Sequence, residues 1–124
     1  MKDYAGDIVE GRKGRWMHTS LGGRFWPEDP RVDEVHISDI ANGLALDCRY
    51  SGQGRVDRFY SVAEHSALMA WYAMDNYRPW LAYLCLLHDA AEAYLNDLSP
   101  AIKKALGASY KKLEEGVQAV IWER

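Results

Sequence analysis

Two apolar helical stripes in this chain are each interrupted by a histidine, and that pairing narrows the possible folds more than any other feature. Placed on a helix, Leu81, Leu84, Cys85, His88, Glu92 and Leu95 fall on one face at spacings of three and four. The face is apolar until it reaches His88 and Glu92, and Asp89 follows His88 at once. His65 breaks a second stripe, between Val62 and the Met69–Tyr72 pair. A carboxylate taken out of water without a partner is costly, so a buried one pairs or coordinates a metal. Two helices that each give up a core position to histidine predict a shared polar pocket, and a metal would account for it.

Local signals around these stripes define the elements. Residues 1–35 are rich in Gly, Pro, Arg and Trp and have no helical period. Arg15–Thr19 and Arg24–Trp26 flank Leu21-Gly22-Gly23, which predicts a hairpin, and Pro27 and Pro30 end any strand. Ser38 is expected to cap a helix through Ile40, Leu44 and Cys48, broken by Ser51-Gly52-Gln53-Gly54. The next helix is predicted from Ser61, three residues before Glu64 in a capping-box spacing, to about Asp75. Asn76 and Pro79 separate it from the helix carrying His88. Asp97-Leu98-Ser99-Pro100 predicts a turn, followed by a short helix Ala101–Leu106, a break at Gly107 and an amphipathic segment from Ser109.

The expected domain is therefore all-α: one unit over 1–124, with an irregular or hairpin extension at 1–35 and a helical core at 36–124. At 124 residues the chain is long enough to bury a core, and 48% hydrophobic with 27% charged residues is ordinary for a globular protein. A net charge of −3 offers no basic field for duplex nucleic acid, although a small phosphate ligand needs only local cations. No apolar run approaches the ~20 residues of a membrane span, and the N-terminus carries no leader-like apolar segment. Cys48 and Cys85 sit in apolar helical patterns, which suits reduced thiols and a cytoplasmic location.

The words around the histidines carry a resemblance. Tyr60-Ser61-Val62-Ala63-Glu64-His65-Ser66, and 23 residues beyond His65 the run Leu87-His88-Asp89-Ala90-Ala91-Glu92-Ala93-Tyr94-Leu95-Asn96-Asp97, resemble the HD-domain metal-dependent phosphohydrolases. The likeness is to the bacterial 5′-deoxynucleotidase branch and, more so, to small HD proteins of phages and prophages; it covers roughly residues 13–124. It implies an HD-domain helical bundle and a hydrolase acting on a nucleotide, with a deoxynucleoside 5′-monophosphate as the expected substrate. His65, His88 and Asp89 would hold one divalent ion, and nitrogen and carboxylate donors suit Mn, Co, Fe, Ni or Zn. Glu92 matches the family's catalytic glutamate, and Asp97 its aspartate near the ribose or the attacking water. Arg49-Tyr50 lies where the deoxynucleotidases carry an Arg-Trp pair, so Arg49 would grip phosphate and Tyr50 stack on the base. Lys103 would add a phosphate contact. The family's fourth ligand is an aspartate on a later helix; no aspartate follows Asp97 here, which implies a C-terminally shortened domain or a ligand from elsewhere. A homodimer is compatible with this reading, and no membrane partner is expected.

Ordinary roles stand beside these. His65 could be a hydrogen-bonded core residue, Asp89 a helix-end carboxylate paired with arginine, and Glu92 a solvated helix residue. Asp97 could cap the next helix, and Arg49 could be an exposed cation at a helix C-terminus. His18 and His36 read as surface residues, and Trp16, Trp26, Trp71, Trp80 and Trp122 as core and interface aromatics. Lys103-Lys104 and Lys111-Lys112 read as a solvated face. Glu114, Glu115 and Glu123 match no motif. Two alternatives to the deoxynucleotidase reading remain open: an alarmone hydrolase of phage antitoxin type, and a nucleotide-binding module with an incomplete metal centre and no turnover.

Overall fold

The Ser61 hydroxyl accepts the backbone N–H of Glu64 at 3.0 Å, so the helix that carries His65 begins where its cap spacing predicts. In the computed structural model, which describes residues 6–54, 57–76 and 78–124, the chain is mostly helical. A two-stranded hairpin, β1 Met17–His18 and β2 Arg24–Phe25, pairs Met17 with Phe25 and His18 with Arg24. There follow α1 Ile37–Leu46, α2 Val62–Asn76, α3 Pro79–Leu87, α4 Glu92–Leu95, α5 Pro100–Leu106 and α6 Ala108–Glu123. Short 3-10 turns at Val32–Glu34 and Arg49–Gly52 fill the connections. The first five residues, on which the leader expectation bears, lie outside the described residues. Among the described residues no helix is long and apolar enough to cross a membrane.

The main core joins the hairpin to α1, α2, α4 and α6 through Phe25, Ile40, Leu44, Val62, Tyr94 and Val117. Phe25 is fully buried and stacks on Tyr94 with ring centroids 3.9 Å apart, which fixes the hairpin over α4. Burying a side chain of this size stabilises by about 1.5–3 kcal/mol. Gly43 lets α1 lie directly on α4: a Cβ there would sit 2.7 Å from the Ala93 carbonyl oxygen. A smaller cluster of Ala70, Ala73 and Ala82, with Leu81 and Cys85 beside it, packs α2 closely on α3. Polar anchors complete the extension. Buried Asp39 of α1 accepts from Ser20 Oγ at 2.6 Å and Leu21 N at 2.8 Å, holding the hairpin turn. The Arg12 guanidinium donates to Asp29 Oδ2 at 2.7 Å and to Glu34, and lies 3.8 Å over the Trp26 ring. Full pairing of that kind offsets the desolvation of a buried cation.

Several local expectations are corrected. His36, not Ser38, precedes α1, and it offers no side-chain cap; Ser38 lies inside the first turn. Cys48 falls after α1, in extended backbone that bridges to Ser61. Ser99, not Asp97, caps α5, accepting from Ile102 N at 3.3 Å. Trp26 is buried, but Trp71, Trp80 and Trp122 are exposed, as are Met69, Tyr72 and Leu84 of the two stripes. A helix period locates a face without saying which neighbour covers it. The largest departure lies in the stripe itself. The continuous helix expected through His88 and Glu92 is broken: α3 ends at Leu87, a turn holds His88 to Ala91, and α4 restarts at Glu92.

Candidate functional site

The break in the helix falls on the residues that carry the chemistry. Fully buried Val62 and nearly buried Ser66 fix the first turns of α2 and leave His65 partly open at its edge. The turn after α3 brings His88 and Asp89 to the same place. His88 Nε2 lies 2.8 Å from Asp89 Oδ2, and His65 Nε2 lies 3.4 Å from that oxygen. The imidazole centroids are 5.3 Å apart, edge to face. One ligating atom from each of the three residues lies within 4.8 Å of the others. Two donors held about 2.1 Å from one ion at right angles are roughly 3 Å apart, so this spacing fits a shared divalent cation.

Hydrogen bonding and burial set the protonation of the three groups. His88 Nδ1 is 2.6 Å from the Cys85 carbonyl, which can only accept, so Nδ1 carries a proton and Nε2 faces Asp89. Facing Asp89, that nitrogen needs a proton or a cation, and the Asp89 hydrogen bond holds the His88 pKa above its ordinary value. Burial, and the Arg49 cation next, push the His65 pKa down, which favours the neutral imidazole that a metal ligand requires. Burial alone would raise Asp89, but the His88 hydrogen bond and the nearby cations hold it below the usual carboxylate range.

Glu92 begins α4, buried at 6% exposure, and its Oε2 has no hydrogen-bond partner. Burial, then the charges of Asp89 and Asp97, push its pKa up to about 8. Lys103 of α5 opposes that shift: its ammonium is 3.6 Å from Glu92 and 2.6 Å from Glu114 of α6. A carboxyl group that exchanges its proton near neutral pH is suited to general acid–base work. Lys103 thus differs from the solvated-face reading, and its ammonium is engaged by two carboxylates.

Arg49 and Asp97 meet beside this cluster. Arg49 Nη1 donates to Asp97 Oδ2 at 3.1 Å, and Tyr50 N donates to the same oxygen at 3.2 Å. Asp97 N donates to Asp47 Oδ2 at 2.7 Å. Tyr50 and Ser51 both take left-handed backbone (φ 59° and 53°), a strain of about 1–2 kcal/mol per residue, held by these bonds and by Ser51 Oγ on the Asp97 carbonyl. Arg49 is half-buried with Nε unpaired, unlike the exposed helix-end cation considered above. Arg49, Tyr50, Asp97 and Lys103 line one cavity of about 840 Å³. A second, of about 320 Å³, is lined by His88, Asp89, Glu92, Glu114 and Gln118. Of the residues singled out from the resemblance, His65, His88, Asp89 and Glu92 gather at the His88–Ala91 turn, Arg49, Tyr50 and Asp97 gather in the first cavity, and Lys103 joins the two groups through Glu92. Asp47, Glu114 and Gln118 were not singled out. Glu114 and Gln118 interrupt the apolar stripe of α6 between Tyr110, Val117 and Ile121, the same signal that marked His88.

No family model matches the chain. An uncharacterized protein of Escherichia coli K12, YfdR, is 37% identical over 109 residues, covering 88% of this chain and 57% of the relative. An uncharacterized protein of Rhodobacter capsulatus is 37% identical over 114 residues, with the same shares covered. The chain thus spans 57% of the length of each of these curated relatives.

Proposed function

We propose that the protein is a metal-dependent phosphohydrolase of the HD type, acting on a nucleotide and preferring a deoxynucleoside 5′-monophosphate. The observation that carries this reading is the meeting of His65, His88 and Asp89, with donor atoms within 4.8 Å of one another, beside a buried Glu92. His65, His88 and Asp89 would hold the ion, which when bound would polarise phosphate oxygens and lower the pKa of a water. Glu92 would serve as the proton-holding group of the site, since burial has made its carboxylate easy to protonate. Arg49 and Lys103 supply positive charge to the neighbouring cavity, and exposed Tyr50 offers a ring for a base. A single short turn at Asp97–Pro100 has no Gly-rich cradle for a triphosphate.

A second reading is a nucleotide-binding module without turnover. Among the described residues, only three candidate ligands converge, and the Arg49 charge is already paired with Asp97. Phosphate release from a panel of deoxynucleoside mono- and triphosphates and alarmones, with Mn, Co and Mg, separates these readings. Metal-dependent release from a monophosphate, lost in His88→Ala, is the expected result. Nucleotide binding without release would establish the module, and preference for an alarmone would replace the substrate.

A further inference from the structure

In an uninterrupted α-helix the amide of Ala91 would donate to the carbonyl of Leu87, four residues back. Here the side chain of Gln118 stands between them. Ala91 N donates to Gln118 Oε1 at 3.0 Å, and Gln118 Nε2 donates to the Leu87 carbonyl at 2.9 Å. A carboxamide has one acceptor and one donor face, so it replaces the missing backbone bond on both sides. Around it the ladder tightens: Ala90 N donates to Leu87 O, Glu92 N to Asp89 O and Ala93 N to Ala90 O, each three residues back. A side chain inserted into the ladder is a recognised cause of a helix break. The break occupies His88 to Ala91, between the end of α3 and the start of α4.

The turn keeps right-handed backbone at both ends (His88 φ −62°, ψ −33°; Ala91 φ −59°, ψ −27°) but follows the tighter 3-10 path, so the direction in which His88 and Asp89 leave the backbone toward His65 is set by the path of this turn. We infer that Gln118 is the positioning residue for the His88–Asp89 pair: its carboxamide holds the helix open at this turn and sets both side chains against His65. The functional consequence rests on the metal reading above. The hydrogen bonds of Gln118 go to the backbone on either side of the His88–Asp89 pair, at Leu87 and Ala91, and it acts through that backbone. It sits on α6, 27 residues from Ala91, so the final helix sets the geometry of a site whose ligands all lie on α2 and the turn. Glu114, one helical turn before it, holds Lys103 near Glu92, which makes this face of α6 a brace for both parts of the site.

The test compares the parent protein with Gln118→Met, which keeps the size and loses both hydrogen bonds, and Gln118→Glu, which still accepts from Ala91 but no longer donates to Leu87. Circular dichroism selects a temperature at which each variant is folded. Amide exchange at Ala91 is expected to accelerate at least ~10-fold in Gln118→Met, with the α2 amides unchanged, and less in Gln118→Glu. In metal-free protein the His88 ring nitrogen signals are expected to shift while those of His18 stay. Cobalt titration is expected to show roughly 10- to 100-fold weaker binding in Gln118→Met with an altered visible spectrum, the scale for an outer partner of metal ligands. Unchanged Ala91 exchange would overturn the insertion. Unchanged His88 signals together with unchanged cobalt affinity would overturn the positioning role. A parent that binds no cobalt overturns the metal reading alone, and Ala91 exchange with the His88 signals then judges Gln118. If Gln118→Met does not fold, Gln118→Glu carries the same three measurements.

Discussion

Arg49 and Asp97, 48 positions apart in sequence, meet at 3.1 Å between Nη1 and Oδ2. The Arg49 charge is therefore already paired, and a phosphate bound there, as proposed, would compete with Asp97 for it. Burial works to lower the Arg49 pKa, but the Asp97 charge outweighs it and raises it, so the guanidinium stays charged throughout. Arg49→Ala should raise the nucleotide dissociation constant about 10- to 150-fold, since a charge-assisted contact contributes about 1.5–3 kcal/mol. Calorimetric titration with a deoxynucleoside monophosphate checks this, and an unchanged constant would remove Arg49 from the binding site.

Metal binding should depend on each of His65, His88 and Asp89, because their donor atoms lie within 4.8 Å of one another. His88→Ala should bind cobalt at least ~10-fold more weakly than the parent. Elemental analysis and titration of both proteins decide it; equal uptake would sink the assignment.

Glu92 makes a prediction about stability that needs no substrate. Its folded pKa of about 8 lies above the ordinary 4.5, so the folded state holds the proton more tightly than the unfolded chain. Stability is therefore greatest below about pH 4.5 as far as this group is concerned, falls as pH rises through the window to about 8, and is level beyond it. In chelator-treated protein, Glu92→Gln should remove that slope and gain stability over the parent at pH 8–9, by a few kcal/mol at most. Denaturant midpoints measured between pH 5 and 9 check this. Parallel curves for the two proteins would show that Glu92 ionises without penalty. The same variant should slow any phosphate release ~10²-fold or more while keeping the metal.

Gly43→Ala should destabilise, against the usual gain of about 1 kcal/mol for alanine over glycine in a helix. The added Cβ would lie 2.7 Å from the Ala93 carbonyl oxygen and 2.9 Å from the Ala93 Cβ, and both belong to the segment just after Glu92. A net loss of about 1–3 kcal/mol is expected, seen as a lower thermal midpoint. A raised midpoint would mean that α1 can move away from α4 freely.

What the sequence determined by itself was the set of local instructions. The Ser61 cap, the Gly22-Gly23 hairpin and the short helix that ends at Leu106 before Gly107 all act within a few residues, and the structure follows them, with α5 starting one residue earlier than expected, at Pro100. Of the candidate site, His65, His88 and Glu92 were legible as polar groups that break an apolar stripe, with Asp89 beside His88, whereas Arg49, Tyr50, Asp97 and Lys103 were marked only by the resemblance. Three matters lay outside its reach. The stripe through His88 and Glu92 has the period of one helix, yet Gln118 opens it; the break of Gln118 in its own stripe marks it as unusual without saying which backbone, 27 residues away, it reaches. Lys103 has the look of a surface lysine beside Lys104, and only the packing of α5 against α6 places Glu114 under it. Arg49 and Asp97 carry no signal of their pairing, since they sit in separate turns 48 positions apart. Caps and turns are settled by bonds between near neighbours, which sequence spacing records. The meeting of distant charges and the insertion of one side chain into another helix depend on how whole elements pack, and only the folded chain decides that.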